Sequence, residues 1–172
     1  MDKTYALAFS FGGHMALRCA LEDTRIRGIA TAGAPIREFF TEGAWRSAVP
    51  RITRDTLAHL IATDPADLSN LSAWALSERQ LAALDVPLHY VASRRDEIVP
   101  RSELGLLRGH VHDLHLLECD DVHGLPRHVA EMRVWAAGSV LRMRDALPAQ
   151  RAALGVLLWM LRARRTLSRS PA

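Results

Sequence analysis

The chain has 172 residues, 49% hydrophobic, 24% charged and 6% aromatic, with 22 Lys and Arg against 19 Asp and Glu for a formal charge of +3. These proportions are those of an ordinary globular domain and exclude disordered, collagenous and coiled-coil chains. Two cysteines, Cys19 and Cys119, exclude a disulfide scaffold and a cysteine-built zinc site and point to a reducing, cytoplasmic setting.

Residues 4–9 are short, apolar and β-compatible, and Ser10-Phe11-Gly12-Gly13 ends them in a turn. From residue 14 to 22, Met15, Leu17, Ala20 and Leu21 interleave with Arg18 and Glu22, predicting a helix with one buried face. A second strand is expected over 26–32. Residues 35–86 change character, with Phe39, Phe40, Trp45, Leu57, Leu60, Leu71 and Trp74 at helical spacing, broken at Pro50 and Pro65. Two to four short helices are expected there. A strand over 88–92, a helix over 101–107, a strand over 114–118 and a long helix over 126–147 follow, with Pro126 suited to a first helical turn. Strands alternating with helices imply a parallel α/β sheet with right-handed crossovers, here of about four strands.

Residues 148–172 read as a separate basic amphipathic tail: five arginines (151, 162, 164, 165 and 169) and no acid. Without them the body, 1–147, holds 17 basic and 19 acidic side chains, so nucleic acid is not an expected partner. The longest apolar run, 152–161, has ten residues, against about 20 for a membrane span. The apolar stretch near the N-terminus is broken by Ser10, Gly12, Gly13 and His14, unlike a secretory signal.

Chemistry concentrates at three loops. Ala8-Phe9-Ser10-Phe11-Gly12-Gly13, between a strand and a helix, has the small residues that a strained nucleophile turn needs on either side of its serine. The helix start behind it offers backbone N–H groups where negative charge would develop. Serine is a weak nucleophile until a histidine accepts its proton, and the imidazolium needs a carboxylate behind it. Asp96 lies in the loop after the third predicted strand and His123 in the loop after the fourth. In a parallel sheet these loops share one edge with Ser10. Alternatives remain at each position: Ser10 as a helix N-cap, Glu97 in place of Asp96, and the other histidines, of which His110 and His112 precede the last strand, His115 lies in it and His128 falls in the next helix. On an extended segment, His110 and His112 would face away from His115, which gives no compact coordination sphere, so no metal is expected. The insert aromatics either line an acyl pocket or pack as ordinary core.

The motifs Ala-Phe-Ser-Phe-Gly-Gly at 8–13, Ser-Arg-Arg-Asp-Glu-Ile-Val-Pro at 93–100 and Asp-Val-His-Gly at 121–124 resemble those of the alpha/beta-hydrolase superfamily. Met15-Ala16-Leu17-Arg18 and Arg25-Ile26-Arg27-Gly28 are similar to the esterase-like branch around the fermentation–respiration switch protein and dienelactone-hydrolase-like enzymes. The resemblance spans about residues 4 to 147, with 35–86 as the variable cap. It implies a partial alpha/beta-hydrolase fold and a cofactor-free serine hydrolase of ester-type small molecules. Ser10 would be the nucleophile, Asp96 the orienting acid, His123 the general base and the Phe11 N–H an oxyanion donor. Two departures stand out. Ala8 replaces the usual glycine, and Ser10 follows the first strand rather than the fifth. The second departure leaves one oxyanion donor of the usual pair, a loss worth roughly 2.7–4 kcal/mol in known sites. It also leaves strand 4–9 as a bare apolar edge. A truncated or split half-domain that is not catalytic by itself is therefore the alternative expectation, with a second copy or a complementary chain on that edge.

Overall fold

β-Branched and apolar residues in short runs bounded by turns give four strands: β1 (Thr4–Phe9), β2 (Ile26–Ala32), β3 (Leu88–Ser93) and β4 (Leu114–Cys119). The computed structural model describes residues 3–43, 49–61, 63–64 and 68–167. The strands form one parallel sheet in the order β1-β2-β3-β4. Registers such as Phe9↔Ala32, Ala32↔Val91 and Ser93↔Cys119 bring the C-terminal strand ends to a common edge.

The period of two along β2 and β3 splits the core. Ile29, Leu88 and Tyr90 pack with Leu17, Leu81 and Leu107 on one face, where α1 (Phe11–Glu22), α4 (Glu78–Ala82) and α5 (Glu103–His110) lie. Ala30, Ala32 and Val91 pack with Leu117, Met132 and Trp135 on the other, under α6 (Val129–Met143). All six residues of β3 are buried. Gly13 allows α1 to lie close to β2: a Cβ there would sit 1.9 Å from Thr31 Oγ1 and 2.8 Å from Ala34 Cβ.

The insert carries α2 (Glu38–Thr41), α3 (Arg51–Leu60), a 3₁₀ turn (Ser69–Trp74) and α4. Its core is Phe39, Phe40, Val49, Leu57 and Leu71, with Phe11 and Trp74 packed against it. Trp45 lies outside the described residues. The last helix, α7 (Pro148–Leu167), lies along α6, where Arg165 reaches Glu131 at 2.7 Å and Leu158 joins the core. Among the described residues no helix is long and apolar enough to cross a membrane.

Three boundaries differ from the sequence reading. α1 begins at Phe11, directly on the Ser10 turn, rather than at residue 14. α5 extends to His110, so that histidine ends a helix instead of lying on an extended segment. The helix expected over 126–147 opens as a 3₁₀ turn (Pro126–His128) and stops at Met143, because Asp145 and Leu147 adopt left-handed backbone at φ 47° and 48°.

Candidate active site

Ser10 sits where β1 runs straight into α1. Its backbone is held at φ 51°, ψ −129°, a strained conformation for a residue with a Cβ. Its N–H donates to Ala32 O at 2.8 Å, which pins the turn to β2. Ser10 occupies the N-cap position, but its side chain makes no capping bond. The Oγ instead lies 3.0 Å from His123 Nε2. Phe11 is the first residue of α1, so its N–H has no intrahelical acceptor.

His123 Nδ1 lies 2.9 and 3.0 Å from the two carboxylate oxygens of Asp96. A carboxylate accepts, so Nδ1 carries the proton and Nε2 turns its lone pair to the serine hydroxyl. The side chains of His123 and Asp96 are only 13% and 6% exposed, which shields the pair from solvent. Asp96 is fixed in turn: its Oδ1 accepts the N–H groups of Ile98 and Val99 at 2.9 and 2.8 Å. The sheet thus brings together Ser10, Asp96 and His123. Glu97 takes a different place, accepting the His123 backbone N–H at 3.0 Å.

The loop carrying His123 is held by residues the motifs did not single out. Asp121 accepts the N–H groups of Val122 and Arg127 and the His128 Nδ1–H at 3.0, 2.8 and 3.0 Å. Burial alone would push the Asp121 carboxyl up, but these hydrogen bonds hold it below its usual value. Ser93 adds a bond from its hydroxyl to Val122 O at 2.9 Å. His128 is therefore a buried clasp at a helix start, not a candidate base. A signal for it exists in the sequence: an acid in the loop and a histidine two residues after Pro126.

The insert aromatics pack against the start of α1. Phe11, His14, Phe40 and Trp74 form one ring cluster, with centroids 4.5 Å apart for His14 and Phe40 and 5.7 Å for Phe11 and Trp74. The space open to Ser10 and His123 lies on the α6 side instead: an apolar cleft of about 890 Å³ walled by Leu7, Phe9, Val129, Met132 and Val140. Among the described residues no three His, Cys, Asp or Glu side chains gather as metal ligands.

No family model matches the sequence. Over 75 residues, 41% of this chain and 18% of the relative, the sequence is 33% identical to the esterase FrsA of Vibrio cholerae serotype O1. The solved structure of AbyA5 is 48% identical, with a TM-score of 0.89 over 92% of this chain and 46% of that one. An esterase of Pyrococcus furiosus superposes with a TM-score of 0.53 at 18% identity, over 79% of this chain and 51% of its own. The chain spans about half the length of AbyA5 and under a fifth of the curated esterases. Its four parallel strands and flanking helices have the alpha/beta-hydrolase fold, and its similarity runs to the esterase-like branch.

Proposed function

We propose that this chain is a serine hydrolase of ester-type bonds that works through an acyl-enzyme on Ser10. The observation that carries this reading is the hydrogen-bonded line from Ser10 Oγ through His123 to Asp96, anchored on a strained turn. As the hydroxyl attacks an acyl carbonyl, a bond forms from Oγ to carbon and the proton passes to His123 Nε2. Asp96 supports the imidazolium, and the Phe11 N–H donates to the oxyanion. His123 then returns the proton to the leaving oxygen as the acyl–oxygen bond breaks, and water repeats the sequence to free the acid. No step calls on a cofactor. The proposal includes a cytoplasmic setting, which suits two free thiols.

The test is labelling with a fluorophosphonate followed by peptide mass spectrometry. Ser10 is expected to carry the adduct, and Ser10→Ala to lose both label and nitrophenyl-ester hydrolysis, by about 10⁴-fold or more. A folded wild-type sample that neither labels nor hydrolyses would overturn the reading.

A second reading is favoured by β1. It is the edge strand of the sheet, paired with β2 along one side. We infer that another strand-bearing chain, a second copy or a complementary partner, pairs with this edge to complete the working unit. Sedimentation of the isolated chain tests it: a stable monomer that hydrolyses esters removes the need for a partner.

A further inference from the structure

A second cavity opens at the end of the sheet away from Ser10. His89 is the second residue of β3, whereas Asp96 follows that strand's last residue. Here β3 and β4 meet α6 and α7 around a space of about 380 Å³, within the range of small-ligand pockets. Its walls are apolar at Trp135 and Leu158, and two guanidinium groups, Arg142 and Arg151, reach it. No Asp or Glu lies among the described residues that line it. Arg142 has no anionic partner among the described residues, and Arg151 is paired at 3.1 Å only with Asp145, whose side chain is 93% exposed.

One buried polar group there is incompletely satisfied. His89 is 3% exposed, and its Nδ1 lies 2.9 Å from Ser139 Oγ, while Nε2 has no partner. Burial, aided by His115 and Arg142 nearby, lowers its pKa to about 4 and keeps the ring neutral. When Ser139 donates to Nδ1, Nε2 carries a proton that lacks an acceptor. Two cations and an unpartnered imidazole nitrogen beside apolar walls call for an oxyanion with a hydrophobic body.

We propose that this cavity binds a small carboxylate with an apolar or aromatic body. The carboxylate lies between Arg142 and Arg151, and the body lies against Trp135 and Leu158. A carboxylate suits two planar guanidinium groups of which one, Arg151, already shares its charge with Asp145, so the charge left over matches a monoanion rather than a phosphate dianion. The site is independent of the serine chemistry.

The experiment is calorimetry and ¹H–¹⁵N NMR with 3-phenylpropionate as the probe, beside 3-phenylpropanol and phenyl phosphate. The expected result is saturable binding of the acid at millimolar concentration or below, with shifts confined to the His89 end of β3, β4, α6 and α7. The neutral alcohol should bind about tenfold more weakly, as loss of a charge-assisted pair predicts. Arg142→Gln and Arg151→Gln should each cost a similar factor, with folding checked by circular dichroism, and Ser10→Ala should bind like the wild type. No binding of the acid, equal binding of acid and alcohol, or shifts centred on Ser10 and His123 would overturn the site. Tighter binding of phenyl phosphate would overturn the carboxylate assignment.

Discussion

The ring of His123 rests against the backbone of Gly33. A Cβ at residue 33 would lie 2.9 Å from His123 Cε1, 3.2 Å from Nδ1 and 3.5 Å from an Asp96 oxygen. Gly33 also has φ +59°, where a side chain is strained. The loop after β2 thus leaves room for the histidine by carrying no side chain. Gly33→Ala is expected to push the ring off the serine, lowering kcat about 10²-fold with little change in KM. Steady-state kinetics on a nitrophenyl ester, with circular dichroism to confirm the fold, would check it. Unchanged kcat would show that the ring tolerates displacement.

The clasp between Asp121 and His128 predicts a larger effect on stability. Both side chains are almost fully buried, at 1% and 6% exposure, and the acid also holds two backbone N–H groups of the His123 loop. Asp121→Ala strands the imidazole and both amides, and is expected to cost roughly 3–5 kcal/mol in urea unfolding. Activity at permissive temperature should fall as well, because His123 loses its support. His128→Phe retains the volume and should recover part of the stability but not the loop order.

These two cases mark what the sequence made legible. The three loops converge because short strands in a parallel sheet end at one edge, so chain order was enough to expect Ser10, Asp96 and His123 at that edge, where the structure brings them together. The supports were hidden for physical reasons. Gly33 reads simply as the end of a strand until the fold brings residue 123 over it. His128 follows Pro126 inside an apolar helical pattern, which masks its pairing with an acid seven residues earlier. The insert aromatics looked equally suited to a pocket or a core, and only packing directed Phe39 and Phe40 inward. Helix ends depended on left-handed backbone at Asp145 and Leu147, which neither residue type advertises.

Acid should weaken the fold well before the carboxylates titrate. His14 and His89 are buried, and burial lowers each from 6.5 to about 4. Below about pH 6.5 the unfolded chain takes up protons that the folded chain refuses, so the stability that these groups contribute is lost as pH falls toward 4. From about pH 7 to about pH 5 each should cost roughly 2 kcal/mol. Asp121 and Glu131, both held below their usual values, add their loss only at lower pH. Urea titrations across this range test the sign, and His89→Leu should remove about half of the slope contributed by the histidines. A flat profile between pH 7 and pH 5 would mean that the rings take up protons in the folded chain as readily as in the unfolded one.

The insert should depend on one buried carboxylate. Glu103, at the start of α5, is fully buried and accepts the N–H groups of Ile36, Arg37 and Phe39 at 3.1, 2.9 and 3.1 Å. Burial raises its pKa, and the backbone bonds offset only part of that rise. The same turn is held from the sheet by the Tyr90 hydroxyl, which donates to Ala34 O at 2.7 Å, and from α1 by the His14 Nδ1–H on Pro35 O at 2.9 Å. Glu103→Gln retains the shape but replaces one acceptor oxygen by an NH₂ facing amide donors. At least one buried N–H then loses its partner, a cost of about 1–3 kcal/mol. Hydrogen exchange should locate the effect, with faster exchange at residues 36–41 and unchanged protection in β3. Because Phe39 and Phe40 anchor the insert's core from this turn, the loosening should spread to Leu57 and Leu71 before it reaches Ser10. Uniform acceleration across the sheet would instead make Glu103 a support of the whole domain.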